Sequence, residues 1–257
     1  MSTSDAFEPG QPYEDQATSF GSAADVYERG RPTYPAEAVE WLLPEGAQNV
    51  VDLGAGTGKL TRLLVERVPF VTAIEPSAGM RDQLIRNVPG AQVLPGSAER
   101  LPLDGESADA ILAAQAWHWV DPVRAVPEVA RVLKPGGVLG LLWNIRQGES
   151  SWYDSLESIL ASAPGSSPRD LTSESPTVGD PFLPIERRDF RWVLDLTPDA
   201  ALAMVASRSY VITLPDQDRE TLLDEVRVLL STHPDTAGRS VVQLPYVTRC
   251  SRAILPA

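Results

Sequence analysis

A glycine-rich turn directly after a short apolar run is the feature that most restricts the fold of this chain. The stretch VVDLGAGTGKL at 50–60 places a glycine at every second position, at Gly54, Gly56 and Gly58. Glycine destabilises a helix by about 1 kcal/mol relative to alanine, so this spacing indicates a turn rather than a helix interior. A glycine turn that leads from a strand into a helix is a place where a ligand approaches the backbone closely.

The pattern around this turn alternates between strands and helices as far as about residue 145. Apolar segments at 50–54, 70–75, 91–96, 108–115 and 137–144 predict five strands, and apolar residues at helical spacing separate them. Ser77 is the predicted N-cap of the helix after the second strand, and a KPGG turn at 134–137 is predicted to end the helix before the fifth. Because these strands are apolar on both faces, we expect a parallel sheet covered by helices on both sides, a doubly wound α/β unit.

The chain on either side of this unit has a different pattern. Residues 1–20 are polar and without period, which predicts a disordered tail, and 22–43 predicts a helix that Pro32 and Pro35 interrupt. Further strands are predicted at 186–196 and 240–249 and a helix over 222–230, after a turn-rich connection at 161–181. We therefore expect one domain over 21–257, with a binding core at about 45–145 and a cover that completes the sheet at about 146–257.

Composition and charge limit the possible partners. The 22 basic and 35 acidic residues give a formal net charge of −13, which argues against nucleic acid or an anionic membrane surface, since phosphate binding needs a basic face. The single cysteine, Cys250, excludes an intrachain disulfide and a cysteine-rich metal site. The polar, acidic N-terminus and the lack of any apolar run near 18 residues predict a cytoplasmic protein without a membrane span.

Two familiar nucleotide-binding patterns do not fit the turn. A P-loop requires G-x-x-x-x-G-K-[ST], but the residue after Lys59 is Leu60, so the hydroxyl that binds magnesium is missing. The dinucleotide pattern G-x-G-x-x-G fits at Gly54 and Gly56 but has Lys59 at its third glycine position. A nucleoside triphosphate and a nicotinamide cofactor are both disfavoured.

The turn instead reads D-x-G-x-G-x-G from Asp52 to Gly58, and in this it resembles the class I S-adenosylmethionine-dependent methyltransferases. It is most similar to the small-molecule branch labelled type 11, which includes proteins similar to trans-aconitate methyltransferase. The segments that share the resemblance are FGSAADVYERGRPTYP (20–35), AIEPSAGM (73–80), GSAERLPL (96–103), QAWHWVDP (115–122) and VLKPGGVLGLLWN (132–144). It covers about 20–145 and continues more weakly at 207–215 and 244–249. The implied fold is a seven-stranded, mostly parallel, Rossmann-like sheet with an N-terminal helical segment and a C-terminal helical cover.

The resemblance implies a cofactor site around the glycines. S-Adenosylmethionine has a nucleoside but no phosphate, so its binding requires neither a lysine nor a metal ion. Asp52 is then expected near the ammonium group, and Glu75, at the end of the second strand, near the ribose hydroxyls. The other implied contacts are Pro76, Ser97, Ala98 and Gln115. Ser97 stands where relatives often have an acidic residue for the adenine, so it is either an adenine contact or only a turn residue.

The aromatic segment QAWHW (115–119) follows the fourth strand, where the transferred methyl group is expected in this fold. His118 is either a general base for the acceptor or a residue that orients Trp117 or caps the next helix. Trp117 and Trp119 either pack around the adenosine or a planar acceptor, or belong to the core. The other residues assigned to the acceptor pocket are Tyr27, Arg31, Tyr34 and Tyr210, of which the first three are equally explained by packing around Pro32 and Pro35.

The sequence thus predicts methyl transfer from S-adenosylmethionine to a small organic acceptor at oxygen, which leaves S-adenosylhomocysteine. The charge favours a small molecule over a nucleic acid, and an anionic acceptor remains compatible because Arg31, Arg146 or Arg208 could act locally. The alternatives are a non-catalytic protein that binds the cofactor and, less in keeping with Lys59, a nicotinamide-dependent oxidoreductase. The sequence indicates neither the acceptor nor the oligomeric state.

Overall fold

The computed structural model of the chain describes residues 31–146, 151–163, 176 and 178–257. The predicted tail at 1–20, Tyr27 and most of the predicted connection at 161–181 lie outside the described residues. Within them, the helices are α1 (Ala36–Leu42), α2 (Lys59–Val65), α3 (Ala78–Asn87), α4 (Pro122–Val132), α5 (Ser151–Ser162), α6 (Pro198–Ala206), α7 (Ser209–Ile212) and α8 (Asp216–Thr232), with a 3-10 helix at Trp117–Trp119. The strands are β1 (Asn49–Leu53), β2 (Phe70–Ile74), β3 (Gln92–Leu94), β4 (Ala108–Ala114), β5 (Leu133–Arg146), β6 (Glu186–Leu196) and β7 (Val242–Ile254).

These strands form one seven-stranded sheet in the order β3-β2-β1-β4-β5-β7-β6. Strands β1 to β5 are parallel, and β7 lies antiparallel between β5 and β6. The predicted doubly wound, mostly parallel sheet is confirmed. Because β1 pairs with both β2 and β4, the strand order reverses beside β1, and in open α/β sheets ligands bind at the carboxyl ends of the strands at this point.

Alternation along the central strands explains how both faces of the sheet are buried. On β4, Ile111 and Ala113 belong to the core cluster that includes Val129 of α4, whereas Ala110 and Leu112 belong to the cluster that includes α1 and α2. Each strand therefore contributes apolar side chains to both sides, as the continuous apolar runs predict. A third cluster joins α5, α6 and α8 to β6 and β7 and forms the C-terminal cover.

The predicted elements hold with local differences. Strand β6 is found over the predicted residues, whereas β5 begins earlier, because Leu133 already pairs with Ala108 and the next pair is Ala110 with Val138. The predicted KPGG turn is thus a bulge inside β5, with Gly136 at φ +79°. Ser77 occupies the N-cap position of α3, but its side chain makes no capping hydrogen bond with the described residues. Helices α5, α6 and α7 were not predicted.

Cys250 lies in the middle of β7, opposite Leu142 of β5, and is fully buried. Burial raises the pKa of its thiol to about 12. Across the described part of the chain, no helix combines the length and the apolar character that crossing a bilayer would require.

Candidate functional site

The glycine turn follows β1 and ends at α2, as the sequence predicts. Gly54, Gly56 and Gly58 all have positive φ, at +69°, +56° and +94°. A Cβ on Gly54 would lie 2.6 Å from the Cβ of Ala116, which follows β4. At Gly58 it would lie 3.0 Å from a methyl group of Val88. Packing therefore requires glycine at Gly54, and the positive φ favours glycine at all three positions, whatever ligand the turn binds.

Asp52 is a buried carboxylate at the end of β1 with one oxygen bonded and the other not. The Thr61 hydroxyl donates to Oδ2 at 2.6 Å, and no described residue donates to Oδ1. Burial raises the pKa of Asp52 to about 7, against the lowering effect of the Thr61 hydrogen bond. A buried polar atom without a partner is uncommon, and a carboxylate oxygen in this position suits a cationic group.

Glu75 follows β2 and holds the glycine turn in place. It is 6% exposed, and its carboxylate accepts hydrogen bonds from the backbone N–H of Gly56 at 2.9 Å and of Ser77 at 2.8 Å. Burial raises the pKa of Glu75, while these two backbone hydrogen bonds lower it. Each carboxylate oxygen retains a lone pair that could accept a further hydrogen bond.

A cleft with an empty volume of about 790 Å³, in part open to solvent, lies between the glycine turn, the end of β5 and the C-terminal cover. The described residues that line it are Arg31, Pro32, Tyr34, Asp52, Gly54, Ala55, Gly56, Thr57, Lys59, Leu60, Ala114, Gln115, Asn144, Arg146, Met204, Arg208 and Tyr246. It therefore lies at the carboxyl ends of β1, β4 and β5, where the strand order places a ligand.

The structure brings some of the predicted site residues to this cleft and leaves others outside its lining. Of the predicted cofactor residues, Asp52, Gly54, Gly56 and Gln115 line it, and of the predicted acceptor residues, Arg31 and Tyr34 do. The predicted residues outside the described lining are Gly58, Glu75, Pro76, Ser97, Ala98, Trp117, His118, Trp119 and Tyr210. The roles of all these residues remain predictions.

The three aromatic residues of the segment after β4, Trp117–Trp119, form the 3-10 helix. Trp117 is 4% exposed and belongs to the same core cluster as Ala98. The ring of His118 lies 4.8 Å from that of Trp119, which is 36% exposed. Tyr210 packs against the apolar cluster of the cover. For Trp117, the packing reading is the one that the geometry favours.

Ser97 takes part in a short backbone turn, with the Arg100 N–H donating to its carbonyl at 3.2 Å. This matches the reading of Ser97 as a turn residue. The contact of its hydroxyl with adenine stays a prediction.

Sequence reasoning did not find Asn144, at the end of β5. Its side-chain amide donates to the Thr33 carbonyl at 2.9 Å, and its Oδ1 accepts from the Thr248 hydroxyl at 2.6 Å. Asn144 thereby ties the segment before α1 to β5 and β7. A polar residue at the carboxyl end of an otherwise apolar strand was the available signal. Met204 and Tyr246 also line the cleft, but the sequence carries no signal for them, because only the tertiary fold brings them there.

An ion cluster forms one side of the cleft. Glu157 of α5 contacts Arg208 at 2.7 Å and Arg146 at 3.2 Å, and the Tyr153 hydroxyl donates to the same carboxylate. The guanidinium of Arg146 also lies 4.7 Å from the centre of the Tyr153 ring. Burial alone would raise the pKa of Glu157, but the two arginines outweigh it and lower that pKa.

Comparison with known proteins places this geometry in a family. A family model described as a methyltransferase domain matches residues 51–141. An uncharacterized methyltransferase of Mycobacterium tuberculosis is 52% identical over 241 residues, which are 94% of this chain and 97% of the relative. The trans-aconitate 2-methyltransferase of Paracidovorax citrulli is 33% identical over 141 residues, 53% of each chain. Among solved structures, a protein assigned as a type II methyltransferase from Anaeromyxobacter dehalogenans is similar in fold, with a TM-score of 0.61 at 24% identity over 88% of this chain and 99% of that one.

The sheet order, the glycine turn and these relatives define a class I S-adenosylmethionine-dependent methyltransferase. With 52% identity to the mycobacterial protein over nearly the whole of both chains, this chain belongs to the methyltransferase family that the resemblance of its turn indicated. It is an enzyme of the group that transfers methyl groups.

Proposed function

We propose that this protein binds S-adenosylmethionine at the glycine turn and transfers its methyl group to an oxygen of a small organic acceptor in the adjoining cleft. The observation that carries the proposal is the buried Oδ1 of Asp52, which has no donor among the described residues and belongs to a residue that lines the cleft. An ammonium group of the cofactor would supply that donor. A phosphate group would be repelled by the same carboxylate.

The chain's own groups fit the parts of this cofactor. The backbone of the glycine turn would lie along the amino-acid tail, and Glu75 would accept hydrogen bonds from the ribose hydroxyls with its remaining lone pairs. Pro76, Ser97 and Ala98 would surround the adenine, and Gln115 would lie near the reacting end. Gln115 donates to the Asn144 carbonyl at 3.2 Å, which fixes its side chain at the floor of the cleft. When bound, the cofactor supplies an electrophilic methyl group on a positively charged sulfur.

The protein's contribution to the reaction would be alignment of the acceptor and exclusion of water. Methyl transfer requires an in-line approach of the acceptor oxygen, so positioning accounts for much of the acceleration. Tyr34 and Tyr246, which are 8% and 5% exposed, supply buried walls for that purpose. The sequence predicts His118 as a base for an acceptor that must lose a proton, but His118 lies outside the described lining of the cleft.

Ligand-dependent stability tests the cofactor. A ligand that binds the folded state at a hundred times its Kd stabilises it by about 2.7 kcal/mol. We expect S-adenosylhomocysteine to raise the melting temperature and NAD and ATP to leave it unchanged. A rise with NAD and none with S-adenosylhomocysteine would contradict the proposal.

Transfer of a labelled methyl group tests the reaction itself. Incubation with methyl-labelled S-adenosylmethionine and a panel of carboxylic acids, phenols and amines should give labelled product with an oxygen acceptor. Product from amines alone would contradict the assignment to oxygen, and binding of the cofactor without transfer to any acceptor would favour the non-catalytic alternative.

A further inference from the structure

Three arginines from distant parts of the chain meet at the cleft. Arg31 precedes α1, Arg146 ends β5 and Arg208 precedes α7, and all three line the cleft. The guanidinium of Arg31 also donates to the Ser207 carbonyl at 3.3 Å, which links the N-terminal segment to the cover. Such a concentration of positive charge is unexpected in a chain with a net charge of −13.

Among the described residues, one carboxylate is shared between two of these arginines. Glu157 is the carboxylate that contacts both Arg146 and Arg208, so one negative charge is shared between two positive ones. Asp52 also lines the cleft, but burial raises its pKa to about 7, so it is only partly ionised near neutral pH. Arg146 and Arg208 therefore carry more positive charge than the described carboxylate that contacts them balances.

The two arginines of the cover are held in place before any ligand arrives. The side chains of Arg146 and Arg208 are 29% and 15% exposed, and Glu157 and Tyr153 fix their guanidinium groups. Burial alone would lower the pKa of Arg208, but Tyr153 and Glu157 outweigh it and raise that pKa, so the charge is retained. A partly buried, oriented guanidinium binds planar or tetrahedral oxyanions through two parallel hydrogen bonds.

We propose that the acceptor is a small organic acid whose anionic group, a carboxylate or a phosphate, is bound by Arg146 and Arg208 with Arg31 beside them. This proposal rests on the proposed function, since it names the acceptor class of the same cleft. The cofactor itself carries one carboxylate, which a single guanidinium satisfies. Arg146 and Arg208, which share one carboxylate of the protein, together offer more donors than the cofactor's carboxylate requires.

Binding of simple probes to the complex with S-adenosylhomocysteine tests this assignment. Benzoate and phenyl phosphate represent the two anionic groups, and benzamide is the neutral control of the same shape. We expect one or both anions to raise the melting temperature of the complex above that with benzamide. The anion with the larger effect identifies the group that the arginines recognise.

Substitutions that remove a positive charge and one that removes a negative charge separate anion binding from a merely structural role. Arg208→Gln and Arg146→Gln should weaken binding of the anionic probe by about ten- to a hundredfold, since hydrogen bonds to charged groups are lost. Glu157→Gln should strengthen it, because glutamine keeps an oxygen that can orient the guanidinium groups but removes the negative charge that competes with the ligand. Arg219→Gln, which removes an exposed ion pair with Asp216 on α8, is the matched control and should change nothing.

The outcomes distinguish this proposal from the proposed function. If neither anion exceeds benzamide, or if Glu157→Gln and Arg208→Gln weaken anion binding alike, the acid-binding assignment is wrong while the cofactor assignment stands. If the arginine variants lose affinity for S-adenosylhomocysteine instead, the arginines hold the cofactor's own carboxylate. If S-adenosylhomocysteine fails to bind the wild type, the proposed function fails. Binding of the anions to the free protein then still decides whether the arginines form an anion-binding site.

Discussion

Asp52 is a residue whose placement favours binding at the expense of stability. Its carboxylate is 1% exposed and has one oxygen without a donor among the described residues. The cost of burying a charge is reflected in the pKa of about 7, well above the ordinary value of 3.8. A cationic ligand would restore the ionised form, so ligand binding and the protonation state of Asp52 are coupled.

This coupling predicts a pH dependence for cofactor binding. The free protein holds a proton on Asp52 below about pH 7, whereas the bound ammonium favours the carboxylate. We expect the affinity for S-adenosylhomocysteine to fall as the pH drops from about 8 to 6. Calorimetry near pH 7 should show proton release, as a binding heat that changes with the ionisation enthalpy of the buffer. A heat that is independent of the buffer would contradict the coupling.

Asp52→Asn tests the stability side of the same coupling. Because the folded-state pKa lies above the unfolded one, the folded protein holds more protons between pH 4 and 7, and wild-type stability falls as the pH rises through that window. We expect Asp52→Asn to weaken S-adenosylhomocysteine binding while raising the free energy of unfolding at pH 8, on the order of 1–4 kcal/mol. Denaturant titration measures the gain, which should shrink toward pH 4. A variant that is less stable at pH 8 would show that the hydrogen bond from Thr61 outweighs desolvation.

Gly54 gives a further prediction, with an internal control. Alanine at 54 combines a positive φ with a 2.6 Å approach to the Ala116 Cβ, whereas Gly46 has a similar φ of +72° and nothing within 4 Å. We expect Gly54→Ala to destabilise by about 2–5 kcal/mol and Gly46→Ala by only about 1–2 kcal/mol. Thermal unfolding of both variants measures the difference. Equal losses would mean that packing against Ala116 is not the constraint on the turn.

His118 is the predicted base, but it lies outside the described lining of the cleft. Its substitution tests the predicted role. Removal of a general base slows catalysis by about 10²–10⁴-fold. From its position we expect His118→Ala to change kcat by less than about tenfold with the acceptor that the transfer assay identifies, with His233→Ala as the control. A larger loss with unchanged S-adenosylhomocysteine affinity would establish His118 as the base.

At the scale of the elements, the cover positions one side of the cleft through α6. This helix begins at Pro198, and the Thr197 side chain accepts a hydrogen bond from the Ala200 N–H at 3.1 Å. Met204, near its C-terminal end, lines the cleft, and Arg208 follows it. The cap of α6 therefore affects both stability and the shape of the acceptor side.

Thr197→Ala should remove that cap and destabilise the protein by about 1 kcal/mol. Thr197→Ser should retain it. Thr221→Ala is the control, because its hydroxyl only bonds the carbonyl one turn earlier within the exposed face of α8. Denaturant unfolding measures the free energies. A loss at 221 equal to that at 197 would mean that the capping bond contributes nothing specific.

The first half of the chain could be predicted from sequence because its elements are fixed by local patterns. Apolar runs of strand length separated by helical spacing gave β1 to β5, and the spacing of Asp52 and the glycines gave the turn. The helices of the C-terminal cover were harder to predict from the sequence. Helix α6 is apolar almost throughout, with only Asp199 charged, so it has no polar face to give a period, and α5 mixes serines with apolar residues. Arg31, Arg146 and Arg208 are far apart in the sequence, and only the tertiary fold brings them to the same cleft.

At the scale of the whole molecule, β7 joins the two halves. It pairs with β5 along nine residues and with β6 along eleven. The apolar cluster of the cover and the cluster beneath α1 both include β7 residues, among them Tyr246 and Cys250. We therefore propose that the described part of the chain folds as one domain rather than as a core with a separate lid.

A single domain predicts a single unfolding transition. Tryptophans lie in both halves, with Trp117 in the core and Trp152 in the cover, so fluorescence reports on both. We expect fluorescence and far-ultraviolet circular dichroism to give coincident melting curves, and calorimetric and van't Hoff enthalpies to agree. Two separate transitions would show that the cover unfolds independently.

The position of Cys250 has a practical consequence for measuring how often this protein unfolds. The single thiol of the chain is buried between β5 and β6 and has a raised pKa, so it is protected from alkylating reagents while β7 remains paired. A molecule that reacts has therefore exposed the centre of the sheet, and the rate at which an alkylating reagent modifies Cys250 measures how often the protein unfolds under native conditions.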